Sequence, residues 1–237
     1  CYAGSAAVQA RVNEMVDHGI MELTGTPTKA AAYEALFPQP VTSTTKIVIK
    51  YNANYNLTNS PSYAKVYNAL RSGLASMLNG PFPGANITAT DRAGTAASGN
   101  PQFTLGCTTY RIQDVIMNCD YFINLAACWA MGTQFPCGVT MAQKNMMGAI
   151  SPLGSLSDFH ALFSTASSPA LAVLNSQPTF RQKQVLTLID AIAIRTDSGP
   201  GGAPNKTACS LIASKDMIAA DYQGLLILKA NGLSADR

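Results

Sequence analysis

Two stretches of the chain are apolar on both of their faces. Lys183 to Ile194 reads KQVLTLIDAIAI, and Tyr121 to Leu125 reads YFINL. Alternate side chains of a strand point to opposite faces. A strand that is apolar at odd and even positions must be covered on both sides, as in a parallel sheet between helices. Lys46 to Tyr51 (KIVIKY) is β-branched and adds another strand. Elsewhere the apolar residues recur at helical spacing. Ala6 to Leu23 places Val8, Val12, Met15, Val16, Ile20 and Leu23 that way, and Thr24-Gly25-Thr26-Pro27 ends it. Thr28 to Phe37 is a second helix, closed by Pro38. Ser62 opens an amphipathic helix with Val66, Leu70 and Leu74 on one face, and Asp216 to Asn231 is the last helix. Short strands are expected at Asn86 to Thr90 and Ser210 to Ala213. The alternation predicts an α/β fold: a mainly parallel sheet with helices on both faces. It is read as a single domain over residues 1–237, with 1–27 an N-terminal helical segment packed on it.

Chemistry-bearing residue types concentrate between Cys119 and Ile150. That stretch holds a buried-strand signal, half the cysteines, the only tryptophan (Trp129) and a Gly-Val-Thr…Gln-Lys-Asn segment. Cys119 to Ala127 reads as the central strand and Val139 to Ile150 as a helix. Thr95 to Gly106 reads as loop, and Ile112 to Met117 fits a helix or a strand. In such folds ligands sit beyond the carboxyl ends of the strands. Here those ends are Asn52 to Pro61, Asp91 to Gly106, Ala126 to Gly138 and Thr196 to Asn205.

Only 12% of the residues are charged, and the net charge is +3. A surface of Ser, Thr, Asn and Gln is permissive of association, so self-association is expected. Without a Lys/Arg cluster, nucleic acid is not an expected partner. No apolar run is long enough for a transmembrane helix. The six cysteines are Cys1, Cys107, Cys119, Cys128, Cys137 and Cys209, and no CxxC occurs. With only two histidines, His18 and His160, no metal site or cofactor is read. The cysteines are instead expected in disulfides, in an oxidising compartment. Cys128 and Cys137 would close a small loop worth roughly 2–3 kcal/mol; metal thiolates are the alternative. Sequons at Asn56, Asn86 and Asn205 agree with secretion and glycosylation. The sequence starts at Cys1, which is read as a lipid-anchored or disulfide-bonded residue.

Several polar residues are candidates for a site. Lys144 and Asn145 at a helix start could hold an anion; the other reading pairs Lys144 structurally with Asp190 or another acid. His160, beside Asp158, could be a general base or a cap. Asp190, Asp216 and Asp221 could bind a metal, although Asp216 also suits the start of the last helix. Asn52 ends the first strand and joins Lys144, Asn145 and Asp216 as a ligand-binding candidate. Lys144, His160 and Asp190 are the catalytic candidates. TDSGPGGAPN at Thr196 to Asn205 lacks GxxxxGK[ST] and reads as a plain loop. Trp129, Met131 and Phe135 form an apolar group for the core or for a subunit contact.

The residues from Lys46 to Asn52, then Asn59-Ser60-Pro61, then Asn86-Ile87-Thr88…Asp91-Arg92, resemble the domain-of-unknown-function 362 family. The similarity continues through Asp120…Ile123-Asn124, Gly138-Val139-Thr140…Lys144-Asn145…Gly148 and Phe159-His160. It ends with Leu188-Ile189-Asp190-Ala191…Gly199-Pro200 and Ala213-Ser214-Lys215-Asp216…Asp221. The resemblance spans roughly residues 10 to 233. It implies an α/β fold, frequent export, occasional fusion to iron-sulfur domains and no settled reaction. It also implies a Lys-x-His after the Ile-Asn strand, where this chain has Trp129 and Met131, bracketed by Cys128 and Cys137.

The expectation is therefore a secreted, extracellular or cell-surface subunit with a remodelled, non-catalytic site. It would self-assemble as a homo-oligomer or filament. The alternative is an exported redox or isomerising enzyme, or a binding module, for a small anionic substrate.

Overall fold

A computed structural model describes residues 8–52, 60, 62–80, 82–92, 94–130, 138–151, 170–197 and 203–233. Helix α1 spans Gln9–Thr24 and α2 spans Lys29–Glu34. α1 ends at Gly25, whose φ of 66° is the left-handed conformation that closes many helices. Strand β1 (Ile47–Lys50) leads to α3 (Tyr63–Leu74) and β2 (Ile87–Thr90). A hairpin of β3 (Gln102–Leu105) and β4 (Thr108–Ile112) follows, then the short α4 (Asp114–Met117). The long strand β5 runs Tyr121–Ala130.

After β5 come β6 (Val139–Thr140), α5 (Ala142–Asn145), a 3-10 turn (Met146–Ala149) and β7 (Ile150–Ser151). Helices α6 (Ala170–Asn175) and α7 (Pro178–Lys183) precede the second long strand, β8 (Gln184–Arg195). The described chain closes with β9 (Lys206–Ser214) and α8 (Met217–Ala230).

Among the described residues the main sheet has the order β2-β1-β5-β8-β9, with β6 also paired to β5. Strands β2, β1, β5 and β8 are mutually parallel, and β9 and β6 run antiparallel. A smaller antiparallel sheet has the order β3-β4-β7. Helices cover both faces, so the expected fold class holds. One face carries α1, α2 and α3, whose Val16, Ile20, Tyr33, Val66 and Leu70 pack on Ile49, Ile123 and Leu188. The other face has two apolar clusters. One joins Val48 and Phe122 to Met146, Ile150 and Phe180. The second joins Cys128 and Ile189 to Met141, Ala220 and Leu228. The two long strands are buried along almost their whole length, as their two-sided apolar pattern requires.

Four local expectations change. Thr95 to Gly106 is not all loop, because Gln102–Leu105 pairs with Thr108–Ile112 around Gly106, whose φ is 60°. Ile112 to Met117 splits: Ile112 ends β4, and Asp114 starts α4. Val139 to Ile150 is not one helix. Its ends pair as β6 and β7 with different sheets, and only one α-turn and one 3-10 turn lie between. The strand expected at Ser210 to Ala213 is longer, Lys206–Ser214, because β8 is long enough to template it.

The disulfide expectation is also corrected. Cys107, Cys119 and Cys128 carry free thiols, and no disulfide joins them or Cys209 to one another. They lie in different places: Cys107 in the β3–β4 turn, Cys119 before β5, Cys128 within β5 and Cys209 on β9. Buried Cys128 donates to the Gly224 carbonyl of α8 at 3.4 Å, and Cys119 to the Ile116 carbonyl at 3.2 Å. Both thiols point into packed interior. Cys1 and Cys137 lie outside the described residues, as do Asn56, Met131, Phe135 and His160.

Candidate functional site: a buried polar clasp at the ends of the parallel strands

Strand β1 stops at Lys50, opposite Asn124, but β5 continues to Ala130. From Leu125 to Cys128 the β1-side edge of β5 has no strand partner, until β6 pairs at Trp129 and Ala130, and a buried carbonyl in that gap needs a donor. The Leu125 carbonyl accepts from Tyr63 Oη at 2.8 Å and from Asn145 Nδ2 at 2.9 Å. Asn145 Nδ2 also donates to Asn124 Oδ1 at 2.7 Å and to the Lys50 carbonyl at 3.2 Å. Asn124 Nδ2 donates in turn to the Ala142 carbonyl at 2.9 Å. One asparagine on α5 thus ties that turn to both strands.

Lys50 completes the clasp. Its side chain is fully buried. Nζ donates to the Tyr51 carbonyl at 2.6 Å and to Asn145 Oδ1 at 3.1 Å, and lies 3.6 Å from Asp91 Oδ1. Burial lowers its pKa to about 8, against the pull of Asp91, which favours the charged form. Gly148 packs on this ammonium. A Cβ there would come within 2.9 Å of both Nζ and the Asp91 carbonyl, so only glycine fits. The three acceptors match the three donors of the ammonium. Lys50 thus brackets the end of β1 to Asn145 of α5 and to Asp91 beyond β2.

A second buried group lies at the start of α3. Asp190, on β8, is fully buried and accepts from Ser62 Oγ at 2.6 Å and from the Ile192 amide at 2.9 Å. Burial raises its pKa to about 6, with the Ser62 hydroxyl, the Ile192 amide and the Ser60 hydroxyl opposing the shift. Ser62 precedes α3 without a side-chain capping bond, because its hydroxyl serves Asp190.

The sequence-expected residues do not converge. Asn145 belongs to the clasp, and Lys144 is buried beside it on α5. Asp190 joins the layer of α3 on the other side of the sheet. Asp221 receives the Ala142 and Gln143 amides at 2.8 and 3.0 Å and so caps α5 from α8. Asp216 is the N-cap of α8, accepting from Ile218 and Ala219, as its position before the last helix suggests. The Asn52 amide donates to Tyr63 Oη at 3.0 Å. Trp129 is fully buried in the core beside α1 and α3. Among the described residues no three metal-ligating side chains cluster, and no helix is long and apolar enough to cross a membrane.

Sequence reasoning passes over Lys50, Asp91, Asn124 and Ser62 as site residues. The missed signal is a lysine and an asparagine inside strands that are otherwise apolar on both faces; a buried polar residue there must have a partner.

A family model described as "Domain of unknown function (DUF362)" matches residues 70–225, about two thirds of the chain. No curated protein and no solved structure matches.

Proposed function

The chain belongs to the DUF362 family, and from that premise we propose that it is a non-catalytic structural subunit that self-associates through α8. The observation that carries this reading is an apolar stripe on the outer face of α8. Ile218, Tyr222 and Leu226 recur about once per turn and are 67%, 63% and 41% exposed. Most of the large exposed apolar side chains of the described residues lie on this one helix. Contiguous exposed apolar surface of that kind marks an interaction site.

Two further features support the reading. The polar side chains of Lys50, Asn124 and Asn145 are engaged in bonds within the clasp. The low charge fraction gives little repulsion between copies. The reading includes export to the extracellular space or cell surface. In that setting the sequons at Asn86 and Asn205 are glycan acceptors.

Electron microscopy of the concentrated full chain tests the assembly. Ordered oligomers or filaments are expected for the native sequence, with their loss in an Ile218→Asp/Tyr222→Asp variant that keeps its circular dichroism. Dispersed monomers of the native chain at high concentration would overturn the reading.

A further inference from the structure

Met217 opens α8 at a point where several parts of the molecule meet. Its side chain packs against both apolar clusters on its side of the sheet, the one around Phe122 and Ile150 and the one around Cys128 and Ile189. Its sulfur touches the clasp: Asn124 Nδ2 donates to Met217 Sδ at 3.5 Å and to the Ala142 carbonyl at 2.9 Å. The residue is half-buried and lines a cleft of about 530 Å³ between α6, α7 and the N-terminal end of α8. That cleft gives a small solute a way to the side chain.

The other described methionines do not combine these features. Met77, Met141, Met146 and Met147 are buried. Met15, Met21 and Met117 are half-buried, but among the described residues only Met217 has a hydrogen-bond donor aimed at its sulfur. A thioether is a weak acceptor. Oxidation puts a polar sulfoxide oxygen on the same atom, and the Asn124 N–H already points there to hold it. The added oxygen needs room between α8, the clasp and two apolar clusters, and extra atoms in close-packed surroundings push their neighbours aside. The nearest bonds to give are those of the first turn of α8, where Asp216 Oδ1 accepts from the Ile218 and Ala219 amides at 2.8 and 3.1 Å.

We propose that Met217 is an oxidation site through which hydrogen peroxide loosens the first turn of α8 and weakens association through its stripe. The effect on association rests on the proposed role of the stripe, whose first residue, Ile218, follows Met217 directly. In the reaction the sulfur lone pair attacks one peroxide oxygen, and the S–O bond forms as the O–O bond breaks. The departing hydroxide takes the proton of the transferred oxygen and leaves as water. The sulfur loses two electrons and the peroxide gains them.

The test treats the full native chain and a Met217→Leu variant, a swap of similar volume, with hydrogen peroxide. Peptide mass spectrometry reads the oxygen gained at each methionine, hydrogen exchange reads the Ile218 and Ala219 amides, and sedimentation velocity reads association. The native chain is expected to carry sulfoxide at Met217 while Met77, Met141 and Met146 stay unmodified. Its two first-turn amides are expected to exchange about tenfold faster than before treatment, and its association to weaken by about the same factor. In Met217→Leu, which keeps every other methionine and the exposed Cys107 thiol, neither quantity is expected to change. Methionine sulfoxide reductases are expected to restore the native chain. An unmodified Met217, unchanged exchange or association after its oxidation, or an equal response in Met217→Leu would each overturn the proposal. A native chain that is monomeric before treatment would overturn the role of the stripe and with it the effect on association, whereas the two amides decide the oxidation site on their own.

Discussion

At the scale of single residues, the account rests on two buried charges that are bonded inward. Asp190 has a pKa raised to about 6, against about 4 for an ordinary aspartate. Its folded carboxyl therefore keeps a proton that the unfolded chain has lost. The stability it contributes is fully present below about pH 4 and is lost as pH rises through about 6. Asp190→Asn preserves the shape and the bonds to Ser62 and Ile192, so it is expected to gain roughly 1–3 kcal/mol at neutral pH and to flatten the acid limb of a urea midpoint-versus-pH curve. A large loss of stability at neutral pH would contradict this. Lys50 has the reverse shift for a base, down to about 8 from 10.5. Between those values the unfolded chain binds more protons, so this residue makes stability rise with pH through that window. Lys50→Met is expected to remove the rise. It is also expected to cost on the order of 3 kcal/mol at pH 7, because Asp91 and two oxygens lose their donor. A variant as stable as the native chain at neutral pH would show that the clasp is not structural. The thiols give a third check. Burial raises the pKa of Cys119 to about 11 and that of Cys128 further, whereas Cys107 is exposed. Under native conditions an alkylating reagent is expected to label Cys107 and spare Cys119 and Cys128. Resistance of Cys128 after unfolding without reductant would restore the disulfide expectation.

At the scale of elements, the first three helices lock through one close approach. Gly73 of α3 lies against the ring of Tyr33, and a methyl group there would occupy the ring's space. Tyr33 Oη in turn donates to Asp17 of α1 at 2.9 Å, so displacing the ring loosens all three helices. Gly73→Ala gains about 1 kcal/mol of helix propensity but forces overpacking that costs about 1–3 kcal/mol. The net expectation is a lower melting temperature by calorimetry, and an unchanged or higher value would show that α3 can shift freely. β5 and β8 are legible in the sequence because burial on both faces leaves apolar residues at most positions of either face. The last helix and its Asp216 cap are legible for an equally local reason, a carboxylate just before the first free amides. Val139 to Ile150 is not. Its Met and Ala residues satisfy a helical pattern, but the chain there is shaped by partners outside the segment: β5 at Trp129, β4 at Ile112 and Asp221 on α8. The clasp is illegible for the same reason. Asn145 and Lys50 stand 95 positions apart, and neither declares its partner locally. Cys128 misleads because proximity to Cys137 in sequence says nothing of the side to which a strand residue points.

At the scale of the whole molecule, three of the five large exposed apolar side chains among the described residues stand on one outer helix. Ile218, Tyr222 and Leu226 face outward while Ala220, Gly224 and Leu228 of the same helix face inward. A surface with few charges does little to keep copies apart, so the chain is expected to associate reversibly as concentration rises. Sedimentation velocity of the full chain over a wide concentration range measures this most directly. The account predicts a sedimentation coefficient that climbs with concentration for the native sequence and stays at the monomer value for Tyr222→Asp. A native chain that sediments as a monomer throughout, or a Tyr222→Asp variant that associates as the native chain does, would contradict it.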